Sequence, residues 1–177
     1  MSATSSNDAV PGAVGGPGLL HVDPEGASLV FRRLLRHPIE DVWEAITDPE
    51  QLELWYMAKV SRDSAHGIVE FQHPNELRAR GRLLEWTPPR IYEYEWNVAP
   101  GSGIPQGENS VVRWELSAVE DGTLLVMTHR KLSRRSAETF VRGFNDFLDR
   151  LCAHLDGAPL PEPPWLSRAH RNDRKVG

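Results

Sequence analysis

The chain has 177 residues, 40% hydrophobic and 25% charged, with a formal net charge of −5. That length makes about one domain, and the acidic balance excludes a dedicated nucleic-acid binder, which needs a basic face to neutralise phosphates. The single cysteine, Cys152, rules out an internal disulfide or a thiolate metal site and fits a reducing cytosol.

Ser, Gly, Pro and charge dominate residues 1–26, which read as a disordered tail. Met1 to Gly18 carries no Lys or Arg and no apolar core of a secretory signal. Ala27 to Arg36 is a first strand, ended by His37-Pro38, because the residue before proline avoids helical backbone. Ile39 to Thr47 reads as a short helix with Ile39, Val42, Trp43 and Ile46 on one face. Asp48-Pro49 with Gln51 starts a second one, to about Leu54: an N-cap, a proline at the first position and a capping-box partner. Ile68 and Phe71 then mark a strand that runs into the turn residues His73-Pro74-Asn75.

Leu77 to Trp86 is a strand with an arginine row at Arg78, Arg80 and Arg82, stopped by Thr87-Pro88-Pro89. Ile91 to Val98 alternates cleanly, with Tyr92, Tyr94 and Trp96 opposed to Glu93, Glu95 and Asn97. A long hairpin loop, Ala99 to Glu108, leads to Val111 to Val119, which places Val112, Trp114 and Leu116 on one face. Asp121-Gly122 signals a tight turn before Thr123 to Lys131, whose inner face holds Leu125, Met127 and His129.

The period then returns to 3.6. Phe140, Phe144, Phe147, Leu148, Leu151 and Leu155 form the apolar stripe of a helix from about Ser133 to Leu155, with Gly157 as its stop. At 1.5 Å per residue that helix is roughly 33 Å long, enough to cross a small sheet. Residues 157–177 read as a Pro-rich, basic tail with Arg168, Arg171, Arg174 and Lys175. The folded part is therefore 27–156, large enough for a real core. Its class is α+β: a curved antiparallel sheet wrapped around one long C-terminal helix, with two short helices after the first strand.

The run from Phe31 through His37-Pro38-Ile39-Glu40-Asp41-Val42-Trp43-Glu44-Ala45-Ile46-Thr47-Asp48-Pro49-Glu50 to Leu54-Trp55-Tyr56 resembles the opening signature of the START-like SRPBCC superfamily, whose fold is the helix grip. It resembles more narrowly the branch named for homologues of the activator of the heat-shock-protein-90 ATPase. The similarity continues through Gly81-Arg82-Leu83-Leu84-Glu85-Trp86-Thr87-Pro88-Pro89-Arg90, Gly122-Thr123, Thr128-His129, Gly143-Phe144 and Leu148-Asp149-Arg150-Leu151. Tyr56 stands where the branch usually has a second tryptophan, and Phe144 where another is usual. The superfamily hosts lipid carriers, hormone receptors, polyketide cyclases and stress-linked proteins, so the resemblance implies a fold more sharply than a function.

Scattered histidines without metal-ligand spacing leave no metal site, and neither a dinucleotide fingerprint nor a Gly-x-Ser-x-Gly elbow exists. No cofactor is expected, and Cys152 reads as an inert core thiol. Ligand pockets are mostly apolar with a few placed polar groups. On that pattern the candidate ligand-binding set is Trp55, Tyr56, Arg80, Tyr92, Tyr94, Trp96, Trp114, Met127, His129, Phe140, Phe144 and Phe147. His129 is the best catalytic candidate; Arg80 either points inward to pair with a ligand carboxylate or phenolate, or belongs to a solvated row with cross-strand partners such as Glu93 or Glu95. Gly143 inside a helix means either close backbone approach or room for a ligand.

The leading expectation is a cytoplasmic module holding a small hydrophobic or aromatic molecule, with no membrane insertion and no nucleic acid. A cyclase- or dehydratase-like enzyme using the same cavity is the second. A co-chaperone-like module is the third, with Trp55-Tyr56-Met57 as its docking surface; Pro163-Pro164-Trp165 is either a second docking strip or a segment that folds back on the protein's own surface. Homodimer formation stays open.

Overall fold

The computed structural model describes residues 14–166; the start of the N-terminal tail and the basic run from Arg168 lie outside the described residues. Eight antiparallel strands form one sheet, and three helices cover its concave side. In chain order these are β1 (Leu19–Asp23), β2 (Gly26–Leu35), α1 (Ile39–Thr47), α2 (Pro49–Trp55), β3 (Lys59–Asp63), β4 (Ile68–Gln72), β5 (Arg78–Thr87), β6 (Ile91–Val98), β7 (Glu108–Val119), β8 (Gly122–Leu132) and α3 (Arg134–Leu155). The spatial order is β1-β2-β8-β7-β6-β5-β4-β3, so the chain returns from the last strand to pair with the second. This is the α+β helix-grip arrangement.

Local chemistry explains the helix boundaries. The Asp48 side chain accepts from Gln51 N–H at 3.0 Å with Pro49 at the first helical position of α2. Ser133 caps α3 by accepting from Ser136 N–H at 3.2 Å, and the Glu108 carboxylate accepts from the Ser133 hydroxyl at 2.8 Å. An acidic group beside a helix N-terminus opposes the positive end of its dipole.

Curvature has two sources in the sheet. Register shifts interrupt β2 between Ala27 and Leu29 and β5 between Leu83 and Glu85, and such bulges bend the strand that carries them. Between them, Gly81 lets β5 approach β6 closely: a Cβ there would lie 2.2 Å from the Glu95 carbonyl oxygen.

Two boundaries differ from the sequence reading. Leu19–Asp23, inside the expected N-terminal tail, is an edge strand paired with β2 through the turn Asp23-Pro24-Glu25-Gly26. Asp23 Oδ1 accepts from Glu25 N–H at 2.9 Å within that turn. Pro163 to Trp165, inside the expected C-terminal tail, folds back on the domain, with Pro163 and Pro164 buried.

Candidate functional site

The concave surface is divided between two sets of helices. Over one part, α1 and α2 press Trp43 and Trp55 onto the sheet. Tyr92 packs against Trp86 (5.1 Å between ring centroids) and Trp43 (6.4 Å), Tyr94 against Phe71 (4.9 Å), and Trp114 against Trp55 (6.4 Å). Both buried indoles in this part are paired: Trp55 Nε1–H donates to the Ala45 carbonyl at 2.8 Å, and Trp114 Nε1–H to the Tyr94 hydroxyl at 3.2 Å, while the Tyr92 hydroxyl has no partner. Burial raises the Tyr92 hydroxyl to about 12, although the positive charge of nearby Arg62 opposes the rise. Trp55, Tyr92, Tyr94, Trp114 and the fully buried Met127 are thus packed core, because α1 and α2 already fill the space in front of them.

Over the other part the N-terminal half of α3 stands off the sheet and leaves a cavity of about 180 Å³. Phe140, Gly143, Phe144 and Phe147 supply the helical wall, one face at spacings of three, four and seven. Tyr56 closes it from the end of α2, Trp96 from β6, Ile104 from the loop before β7, and Trp165 from the returning C-terminal segment. A Cβ built on Gly143 would meet no atom within 4 Å, so the glycine leaves room rather than admitting backbone.

Of the twelve residues singled out by sequence, Tyr56, Trp96, Phe140, Phe144 and Phe147 line this cavity. His129 does not. Its ring is fully buried behind Trp96 (5.3 Å), Phe144 (5.2 Å) and Phe140 (5.7 Å, stacked). Ser110 gives its hydroxyl proton to the Trp96 carbonyl at 2.8 Å, so its oxygen accepts from His129 Nε2–H at 2.7 Å. Burial pushes His129 down to about 3.

Arg80 is corrected outright. Ala79 and Gly81 take the inward positions of β5, and Arg80 projects from the outer face with its Nε 3.6 Å from Glu70. Exposed ion pairs contribute little. Arg80→Ala is expected to change the unfolding free energy by no more than about 0.5 kcal/mol and to leave ligand binding unchanged, read by denaturant melts and calorimetry.

The sequence reading missed His73, Leu77, Ile104 and Trp165 in the cavity wall. The signal for His73 was present, since Val69, Phe71 and His73 alternate onto one buried face. The adjacent Pro74-Asn75 turn residues masked it.

His73 is 4% exposed, and both of its ring nitrogens lack a protein partner. It sits against Tyr56 (4.8 Å), Phe147 (5.9 Å) and Trp165 (6.3 Å), and burial pushes it down to about 4. It also lines an open polar groove of about 820 Å³ with Glu53, Lys59, Glu76 and Arg78. Trp96 Nε1–H, in the cavity wall, is likewise without a partner. Among the described residues no three His, Cys, Asp or Glu side chains gather as metal ligands, and no helix is long and apolar enough to cross a membrane.

A sheet gripping one long helix, with a small apolar space between them, defines a START-like SRPBCC domain. The chain belongs to the family of activator of Hsp90 ATPase homolog 1-like proteins, whose pattern matches residues 36–156. Among solved structures it is similar to MLL2253 from Mesorhizobium loti, at 27% identity over 75% of this chain and 99% of that one, with a TM-score of 0.65. CalU16 from Micromonospora echinospora is 28% identical over 85% and 88% of the two chains, TM-score 0.63. The protein encoded by BPP1335 of Bordetella parapertussis is 28% identical over 96% and 91%, TM-score 0.63. Among curated proteins no match is found.

Proposed function

We propose that this protein binds a small, largely apolar or aromatic molecule in the cavity under α3. Gly143 carries the reading: a glycine inside a helix costs about 1 kcal/mol relative to alanine, and here its missing side chain borders empty space. A cavity of about 180 Å³ is far below the roughly 300–1,000 Å³ of drug-sized sites. Engineered apolar cavities of about 150 Å³ take up benzene, so the expected occupant is about one ring in size.

Catalysis through His129 finds no support in this geometry. One nitrogen is engaged by Ser110, and the ring lies behind Phe140 and Phe144.

Filling the cavity from the helix is the direct test. Gly143→Leu is expected to raise the melting temperature, since it removes a helical glycine and occupies the void, and to weaken uptake of one-ring ligands at least tenfold. Native mass spectrometry of wild type and variant, with a thermal-shift series of one-ring molecules, reads both effects. Equal binding by the two proteins would place the ligand elsewhere.

A further inference from the structure

Part of the cavity wall comes from beyond the helix grip. The last helix ends at Leu155 and the family pattern at residue 156, yet Pro164 and Trp165 line the cavity. Gly157, at φ +65°, takes the left-handed backbone with which helices commonly stop. The chain then retraces α3 towards its N-terminus. Arg150 donates to the Pro161 carbonyl, and Phe147, about one turn earlier on the helix, meets the Trp165 ring at 5.9 Å between centroids. Residues 156–162 are exposed, whereas Pro163 and Pro164 are buried, so this is an arm seated at its tip.

The arm is built to move as a piece. Pro159, Pro161, Pro163 and Pro164 each fix a backbone angle, which makes a semi-rigid spacer rather than a random coil. Segments with few buried apolar contacts open while the rest of a fold stays intact. Trp165 at the tip differs from Trp55, Trp96 and Trp114, which are buried to 3% exposure or less, in being only half-buried. Its ring spans two walls, Phe147 on α3 and His73 after β4, the latter edge-on at 6.3 Å. Behind it lies the void of about 180 Å³. A ring that bridges two walls with empty space behind it acts as a cover.

Building on the cavity-binding reading above, we propose that Trp165 is a lid carried on this arm and sets the size of molecule the site admits. Seated, it confines the site to one ring. Lifted, it gives up the room of its own fused ring system, and the site then takes a two-ring aromatic of the naphthalene class. A ligand that needs the open arm binds with its affinity reduced by the fraction of molecules in which the arm is open.

Toluene and naphthalene, titrated against the full chain, separate the two states. Trp165→Ala is expected to shift the naphthalene-to-toluene affinity ratio at least tenfold towards naphthalene and to speed toluene exchange, read from NMR line shapes, at least tenfold. Trp165→Phe, which keeps a smaller cover, is expected to fall between. Fluorine NMR of protein labelled with fluorotryptophan reads the lid directly: the Trp165 resonance, identified by its loss in Trp165→Phe, is expected to move with naphthalene and stay in place with toluene. The double variant Pro163→Gly, Pro164→Gly keeps the indole but loosens the arm, and is expected to speed toluene exchange as well; it decides should Trp165→Ala fail to fold. Toluene binding that Gly143→Leu weakens, with exchange and ratio unmoved by the arm variants, overturns the lid and leaves the cavity standing. Binding of neither molecule to wild type or to Trp165→Ala overturns the cavity reading, and the lid with it.

Discussion

Replacing Arg150 by methionine is expected to lower the unfolding free energy by about 4 kcal/mol, with a fall in melting temperature on the order of 10 °C. Arg150 lies on α3 and is 5% exposed. Its Nε–H donates to the Trp55 carbonyl at 2.8 Å, one Nη to the Leu54 carbonyl at 3.0 Å, and the other to the Pro161 carbonyl. The first two carbonyls belong to the C-terminal end of α2, where the helix has no further N–H to offer them. A cation there also meets the negative end of the helix dipole. One guanidinium therefore fastens α3 to α2 and to the segment that brings Trp165 over the cavity. Methionine keeps most of the apolar stem and leaves three carbonyls without their donor. Arg150→Lys is expected to recover only a small part of the loss, because a compact ammonium cannot reproduce the planar fork. Denaturant melts of the three proteins check the order wild type, Lys, Met. A methionine variant within 1 kcal/mol of wild type would mean that water replaces the guanidinium at no cost.

Much of this fold is legible because burial writes itself into periodicity. The alternation in β6 and β7 and the stripe in α3 each need one buried face, and the chain shows it plainly. The two strands that escaped notice are β1 and β3, the two edges of the sheet. Edge strands are kept short and polar, which restrains pairing with other chains. Lys59-Val60-Ser61-Arg62-Asp63 is accordingly indistinguishable from a surface loop until β4 is placed beside it. Asp23-Pro24-Glu25-Gly26 carries turn residues, but the Gly- and Pro-rich residues around it read as a tail.

The site was legible in part, for a different reason. Alternation tells which face of β6 is inward, and Tyr92, Tyr94 and Trp96 all are. It does not tell what lies opposite each of them. That depends on where α1 and α2 stop covering the sheet and α3 begins, a tertiary fact with no period. Hence Tyr92 meets Trp43 while Trp96, four residues on, meets Phe140 and a void. His129 shares the inner face of the sheet with the inward aromatics of β6 and β7, yet stacking on Phe140 walls it off. Arg80 was misplaced by supposing that one member of the arginine row points inward, whereas the alternation places Ala79 and Gly81 there.

Acid should unfold this protein well before its carboxylates titrate. His73 and His129 are both buried, and burial alone moves them from about 6.5 down to about 4 and about 3. The rings around His73 are Tyr56, Phe147 and Trp165, and those around His129 are Trp96, Phe140 and Phe144. Glu53 and Glu76 share the groove that His73 borders, without lifting it back to its ordinary value. Above about pH 6.5 both histidines are neutral in the folded and unfolded chain and add no pH dependence. Below it the unfolded chain takes up protons that the folded one refuses, so stability falls as pH falls. The slope is about 1.4 kcal/mol per pH unit for each histidine, down to the folded values. From pH 6.5 to 4.5 the two together remove roughly 5 kcal/mol, comparable to the whole stability of many domains. Glu93 and Glu95, held low by Arg130 and Arg82, begin to contribute only below that window. Urea melts at pH 7.5, 6.5, 5.5 and 4.5 are expected to be flat across the first interval and steep across the other two. His129→Leu and His73→Phe are each expected to halve that slope, whatever they do to stability at pH 7.5. A wild type equally stable at pH 6.5 and 5.0, or a histidine ring proton titrating near 6.5 in the folded state for either residue, would show that water reaches these rings.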